Sequence, residues 1–203
     1  MHPDPHNIGN AGLVADKMKT ISKETKFGRR GNQVDRSFLK SLPVLGLLAL
    51  HSGILDELRR RGVLRTVNNP AADYAEFLAC RALSLKPAAS SEKGYDATGQ
   101  DGKRYEIKAR RQAKGSKPTR FSAIRRLEEN HFDYLLAVLF EEDFRVQRAA
   151  ILPREVVTKK AFWQEHVNGW ILPLNDSLWN DGAVQGITAR LQQFQLDEEK
   201  QVA

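Results

Sequence analysis

The run Phe132 to Phe140, FDYLLAVLF, is almost continuously apolar. A strand with one face in water alternates apolar and polar side chains; a run without alternation predicts a strand covered on both faces. It therefore demands a packed layer on each side of a sheet. A chain of 203 residues is long enough to supply both layers. The acidic cluster Glu141-Glu142-Asp143 predicts a turn, and Arg145 to Leu152 is expected to return beside the first strand.

The remaining pattern completes an α/β fold in which a central mixed sheet is flanked by helices. Within Val34 to Arg61, Phe38, Leu39, Leu42, Leu45 and Leu48 recur at helical spacing, Pro43 interrupts, and Ile54, Leu55 and Leu58 continue. Arg59-Arg60-Arg61 and Gly62 suit a helix end. Val63 to Val67 is expected as a short strand. Asn69 and Pro70 suit the cap and first turn of a helix over about 70 to 84, which carries Tyr74, Phe77, Leu78 and Leu83. Asp101-Gly102 predicts a hairpin between Tyr95 to Thr98 and Lys103 to Arg110. Ser122 to His131 is expected as a helix with Ile124 and Leu127 on one face, and Pro153-Arg154-Glu155 opens another. A strand at Trp170 to Leu174 precedes a final helix with Val184, Ile187, Leu191 and Phe194 in one stripe. The domain reading is a basic arm over 1–33, one domain over 34–196 whose part 34–62 is helical, and a frayed tail over 197–203.

Composition narrows the function classes. The formal net charge of +7 favours a polyanionic partner. The single cysteine, Cys80, excludes an intrachain disulfide and a cysteine-based zinc site, and its apolar neighbours mark it as a packing residue. The five histidines show no metal-ligand spacing, and Trp163, Trp170 and Trp179 read as core anchors. The most apolar run other than the strand, Leu42 to Leu50, contains Pro43 and Gly46 and is too short to span a bilayer. The first residues lack a secretory pattern, so a cytoplasmic protein without membrane contact is expected.

One segment proposes a chemistry. In Tyr105-Glu106-Ile107-Lys108-Ala109-Arg110, alternation puts Tyr105, Ile107 and Ala109 on one face and Glu106, Lys108 and Arg110 on the other. Charged groups beside a core need partners, and a cleft holding a cation and a phosphate would provide them. Asp96 lies across the hairpin from Glu106. The two carboxylates are hard oxygen ligands suited to Mg²⁺ or Mn²⁺, with the Ile107 carbonyl as a third ligand. Lys108 shares their space and can orient an attacking water and offset charge on the transition state. Glu76, in the middle of the preceding helix, is a supporting carboxylate. Acid-x-Lys also occurs at Glu24-x-Lys26, Asp101-x-Lys103 and Glu198-x-Lys200, but only Glu106-x-Lys108 sits on strand alternation with an acid upstream across a turn.

This arrangement resembles the catalytic core of the restriction-endonuclease-like PD-(D/E)XK nucleases. There a helix carrying Glu leads into a hairpin carrying Asp and then (D/E)-x-Lys; here these are Glu76, Asp96, Glu106 and Lys108. The resemblance covers about residues 63 to 152 and departs at Tyr95, where the family nominally has Pro. It implies an α-β-β-β-α-β core and Mg²⁺-dependent hydrolysis of DNA.

The flank agrees with a DNA substrate. From Lys103 to Arg126 the chain has ten basic residues and one acid, Glu106. Arg110, Arg111, Lys114, Lys117, Arg120, Arg125 and Arg126 are the candidate contacts to DNA phosphates. Restriction-type cleavage of double-stranded DNA by a homodimer is the expectation. Repair, recombination or mobile-element processing, and a DNA-binding module without catalysis, are the alternatives on the same fold.

Overall fold

The computed structural model describes residues 36–67, 69–89, 92, 94–113, 115 and 119–202, with side chains described to residue 200. The basic arm over 1–33, Lys114 and Lys117 lie outside the described residues. The chain divides between Arg60 and Arg61 into two units. The described part of the first holds helices α1 (Arg36–Ser41) and α2 (Val44–Arg60). Pro43 separates them, as its position predicts: it has no N–H to continue the α1 ladder. Its carbonyl instead accepts from Leu47 N at 3.0 Å, within the first turn of α2.

The second unit is built on a six-stranded sheet. The strands are β1 (Lys86–Pro87), β2 (Ala97–Thr98), β3 (Arg104–Arg111), β4 (Tyr134–Phe140), β5 (Val146–Pro153) and β8 (Gln185–Gly186), in the order β1-β2-β3-β4-β5-β8. The pair β3–β4 is parallel and its neighbours are antiparallel, so the sheet is mixed. A second sheet pairs β6 (Phe162–Gln164) with β7 (Gly169–Ile171). Helices α3 (Pro70–Leu83), α4 (Arg154–Lys160), α5 (Asp176–Trp179) and α6 (Thr188–Val202) complete the unit. Among the described residues no helix is long and apolar enough to cross a membrane.

The apolar run does what its lack of alternation predicts. Leu135, Leu136, Ala137, Val138 and Phe140 of β4 are all fully buried. Leu136, Val138 and Phe140 join Ile107, Ala149, and Ala75 and Leu78 of α3 and Leu191 of α6 in one core. Leu135 and Ala137 join Leu152, Phe121, Ile124, Leu127, Val157 and Leu172 in a second core on the opposite face. Leu136→Ala should therefore cost about 3 kcal/mol, the transfer energy plus a cavity at a site braced on both sides. Urea denaturation checks this; a loss below about 1 kcal/mol would mean the layer collapses onto the gap.

Two expected elements are absent. Ser122 to His131 is not a helix: it is irregular, with one 3-10 turn at Leu127–Glu129. Among the described residues of the crossover there is therefore no α-helix of the kind that the family resemblance implies between the third and fourth strands. The backbone groups there are spent on the β7 edge instead. Ile124 N donates to Trp170 O at 2.8 Å and Trp170 N returns to Ile124 O at 2.9 Å. Gly169 permits that approach, because a Cβ there would lie 2.9 Å from the Ala123 Cβ. Phe121, Ile124 and Leu127, spaced by three, all enter the core without a helix. Arg126 and Asn130 both adopt left-handed backbone, which a helix does not accommodate.

Val63 to Val67 is likewise not a strand. The N–H groups of Arg65 and Thr66 go to the Asp73 carboxylate at 2.8 and 2.7 Å rather than to a neighbouring strand. Three short strands, β1, β6 and β8, escape the sequence pattern because each is only two or three residues long. The strand expected at Trp170 to Leu174 is β7, ending at Ile171. The last helix starts after Val184 and Ile187 and continues through Val202, past the Asp197 at which a frayed tail is expected.

Candidate active site

The hairpin forms where Asp101-Gly102 predicts. Gly102 takes a φ of +78°, the left-handed region that glycine enters at no steric cost, and Gly99 N donates to Lys103 O at 2.8 Å. That register carries Asp96 to the start of β2, where its own N–H donates to Tyr105 O at 2.8 Å. One step further along β3, the Ile107 N–H has no backbone acceptor across from it. It donates instead to Asp96 Oδ2 at 2.6 Å. The N–H and C=O of a strand residue leave on the same side. The Ile107 carbonyl therefore leaves β3 on the side of Asp96.

Glu106 and Lys108 lie two apart on β3 and point to the same face, as alternation requires. Lys108 Nζ is 2.6 Å from Glu106 Oε1, and the two side chains are 18% and 12% exposed. Glu76 reaches the same region from α3. That helix begins where Asn69 and Pro70 predict, with the Asn69 side chain accepting from Ala71 N at 3.0 Å.

The electrostatics tie the three carboxylates together. Burial pushes Glu76 up to about 7, helped by the negative charge of Asp96 and opposed by the Arg65 guanidinium. Burial also raises Asp96, against the Ile107 N–H and the Lys108 ammonium, which favour its ionised form. Glu106 is raised by burial and by Asp96, while Lys108 holds it down. Burial is the largest influence on each of the three. Cys80 is half-buried against the core, and burial followed by Glu76 pushes its thiol up to about 11. It packs and stays protonated, in line with its apolar sequence context.

The donor set fits a small hard cation. Among the described residues no three His, Cys, Asp or Glu side chains close into a metal cage. Asp96, Glu106 and the Ile107 carbonyl instead offer an open, all-oxygen set. Mg²⁺ prefers this kind of site, since it keeps several waters and uses one or two carboxylates. A cation would also relieve the mutual repulsion of the buried acids.

A cleft of about 290 Å³ lies beside these groups, with Arg65, Thr66, Glu76, Glu92, Tyr95 and Asp96 among its walls. Glu106 and Lys108 do not line it. The sequence pattern does not single out Arg65, whose Nη1 is 3.4 Å from Glu76 Oε2. No local motif signals that contact, which spans eleven residues through a turn. His131 is a second unanticipated neighbour, near enough to Glu106 to be the smallest of the influences on its pKa. Gly94, with φ +94°, makes room for it, since a Cβ there would lie 2.4 Å from the His131 Cβ.

The basic flank divides. Arg110 is exposed on the face of β3 that carries Glu106 and Lys108. Arg111 braces the β4–β5 turn: it donates to Glu142 O at 2.9 Å and stacks 4.8 Å from the Phe144 ring centroid. Arg120 donates to Gln164 Oε1, Arg125 to Asn168 O, and Arg126 pairs with Glu129. These three pin or follow the crossover rather than a helix. Trp170 and Trp179 pack against the second core, with Trp179 6.5 Å from Phe121, whereas Trp163 is exposed rather than the expected core anchor and meets Trp170 edge-on at 5.9 Å. No protein-family model matches the chain, and no curated protein matches it.

Proposed function

We propose that this chain is a Mg²⁺-dependent endodeoxyribonuclease of the PD-(D/E)XK kind that cuts double-stranded DNA in a restriction-type reaction. One observation carries the reading. Asp96 sits across the hairpin from Glu106 with Lys108 Nζ 2.6 Å from the Glu106 carboxylate, and Glu76 joins from α3 through a shared electrostatic environment.

Asp96, Glu106 and the Ile107 carbonyl would hold the metal ion. Bound there, Mg²⁺ supplies a Lewis acid for a phosphoryl oxygen and lowers the pKa of a water. The ion pair with Glu106 fixes the Lys108 side chain on the strand face of the site. The Lys108 ammonium then orients the attacking water and stabilises charge that develops on the phosphorus oxygens. Glu76 accepts hydrogen bonds from water on the helix side. Arg110 holds a backbone phosphate on the same strand face. A double-strand cut uses two such sites, one per strand, in a homodimer.

Supercoiled plasmid incubated with the purified protein is expected to be nicked and linearised with Mg²⁺ or Mn²⁺ and left intact with EDTA. A fixed fragment pattern supports the restriction role. Cutting that depends on junctions or flaps moves the role to repair, recombination or mobile-element processing. Metal-independent binding with no cleavage of several DNAs, modified ones included, would leave a DNA-binding module.

A further inference from the structure

The crossover from β3 to β4 and the β6–β7 ribbon cover one face of the sheet. Phe121, Ile124 and Leu127 pack there with Leu135 and Ala137 of β4, and Ile124 bridges to Trp170 of β7. Glu106 pairs in register with Leu135 and Lys108 with Ala137, so both charged side chains leave β3 on that same face. The ribbon therefore stands on the side of the sheet that carries Glu106 and Lys108. Its β7 strand lies between β6 and the crossover, which leaves β6 as the outer strand. Phe162 and Trp163 on β6 stay 49% and 43% exposed, and alternation puts them on opposite faces of the strand. Trp163 lies opposite Trp170 and meets it edge-on. Both indole N–H groups are taken: Trp163 Nε1 donates to Glu165 Oε2 at 3.2 Å and Trp170 Nε1 to Glu128 Oε2 at 3.0 Å. The Trp163 ring is thus oriented by its neighbours yet still meets solvent. Arg120 and Arg125, both exposed, hold either side of the ribbon turn. Their bonds go to neutral oxygens, Arg120 to Gln164 Oε1 at 2.7 Å and Arg125 to the Asn168 carbonyl.

We infer that the Trp163 ring is a stacking platform for an unpaired base of DNA; the choice of DNA rests on the nuclease reading above. A nucleobase presents a flat π-face and needs no N–H from the ring it stacks on, so the bond from Trp163 to Glu165 stays in place. An indole already held in one orientation loses little freedom when the base arrives. The two exposed rings of β6 are small beside the roughly 800 Å² that each partner of a stable protein–protein interface buries, but Trp163 alone matches a base. Charge favours the same occupant. The crossover that holds the ribbon belongs to the stretch from Lys103 to Arg126, with ten basic residues and one acid. Glu128 and Glu165 repel a phosphate, so the strand's backbone is expected to run along Arg120 and Arg125 while its base reaches the ring.

The test is fluorescence anisotropy of a labelled single-stranded DNA with the full-length protein in EDTA, beside a strand of the same length whose central nucleotides are abasic. The wild type should bind the natural strand roughly tenfold more tightly than the abasic one. Trp163→Leu can still pack on Trp170 but has no flat face; it should lose that preference and bind the abasic strand as the wild type does. Trp163→Phe keeps a ring and should retain most of the preference. The natural strand should also quench tryptophan emission in the wild type, and much less in Trp163→Phe. If Trp163→Leu melts early, the lost quenching in folded Trp163→Phe decides the point. A wild type that binds neither strand or treats both alike would overturn the inference. So would the full preference in Trp163→Leu, or a Trp163→Phe that falls as far as Trp163→Leu. Tighter, Trp163-dependent binding of an RNA strand of the same sequence would overturn the choice of DNA. Because EDTA prevents cleavage, the two readings fail separately. A wild type that stacks the base but never cuts plasmid defeats the nuclease reading alone, and one that cuts but shows no preference defeats this inference alone.

Discussion

Lys108→Met is expected to lower Mg²⁺-dependent plasmid cleavage by roughly 10²- to 10³-fold, the range for removing one preorganised donor from a site of developing charge. Methionine keeps an aliphatic stem in a side-chain position that is 18% exposed, so packing changes little. The loss has a second component. Lys108 is the main influence holding down the Glu106 pKa, which burial raises. Without the ammonium, Glu106 moves further up and binds a proton in place of a cation. Part of the lost activity should therefore return as the assay pH is raised, whereas the wild type gains less over the same interval. Asp96→Asn is the companion variant. Its amide oxygen can still accept from Ile107 N, so the hairpin stays closed while a charged ligand is removed. Cleavage should fall at least as far as in Lys108→Met, with no loss of melting temperature in EDTA. Cleavage at the wild-type rate by either variant would remove these residues from the chemistry.

Glu76→Gln should stabilise the metal-free protein at alkaline pH. Glu76 is pushed up to about 7, so between the ordinary glutamate value and about 7 the folded state holds a proton that the unfolded chain releases. Stability therefore falls as pH rises through that interval and stays low above it. Below the ordinary value both states are protonated and the effect vanishes. After allowance for solvent screening, the cost at pH 8 is on the order of 2 kcal/mol. Thermal melts in EDTA should show Glu76→Gln above the wild type at pH 8 and level with it near pH 4. A residual slope belongs to Asp96 and Glu106, whose values also rise. Saturating Mg²⁺ should narrow the gap. Equal melting curves across the whole range would mean that Glu76 is better solvated than its position indicates.

The three variants act on parts of the site that the chain declares openly. Glu106 and Lys108 share a face because strand side chains alternate, and Asp96 opposes them because Asp101-Gly102 closes a tight hairpin. Both are consequences of a few neighbouring residues. The α3 helix is equally local, with its Asn69 cap and Pro70. The double burial of β4 follows from a run with no polar face to give to water.

The crossover is different. Phe121, Ile124 and Leu127 have spacing that suits a helix, and only the edge of β7 diverts their backbone into bridges. That partner lies more than forty residues away, and the close approach depends on Gly169. The basic residues of the same stretch then serve contacts that no charge count reveals, with Arg120 on Gln164 and Arg125 on Asn168. Arg65 is the clearest case. In the sequence it is one cation at the end of an arginine-rich run, with nothing to join it to Glu76. A buried carboxylate at Asp73 captures two successive N–H groups and turns it over the cleft.

Alternation, turn chemistry and helix caps act over a handful of residues, so the sequence alone determined where the acids, the lysine and the double-faced strand would stand. The course of the crossover, the packing around Glu106 and the arginine beside Glu76 depend on distant backbone groups competing for the same hydrogen bonds. Only the tertiary structure decided that competition, because its outcome depends on which distant segments come into contact when the two cores close on the sheet.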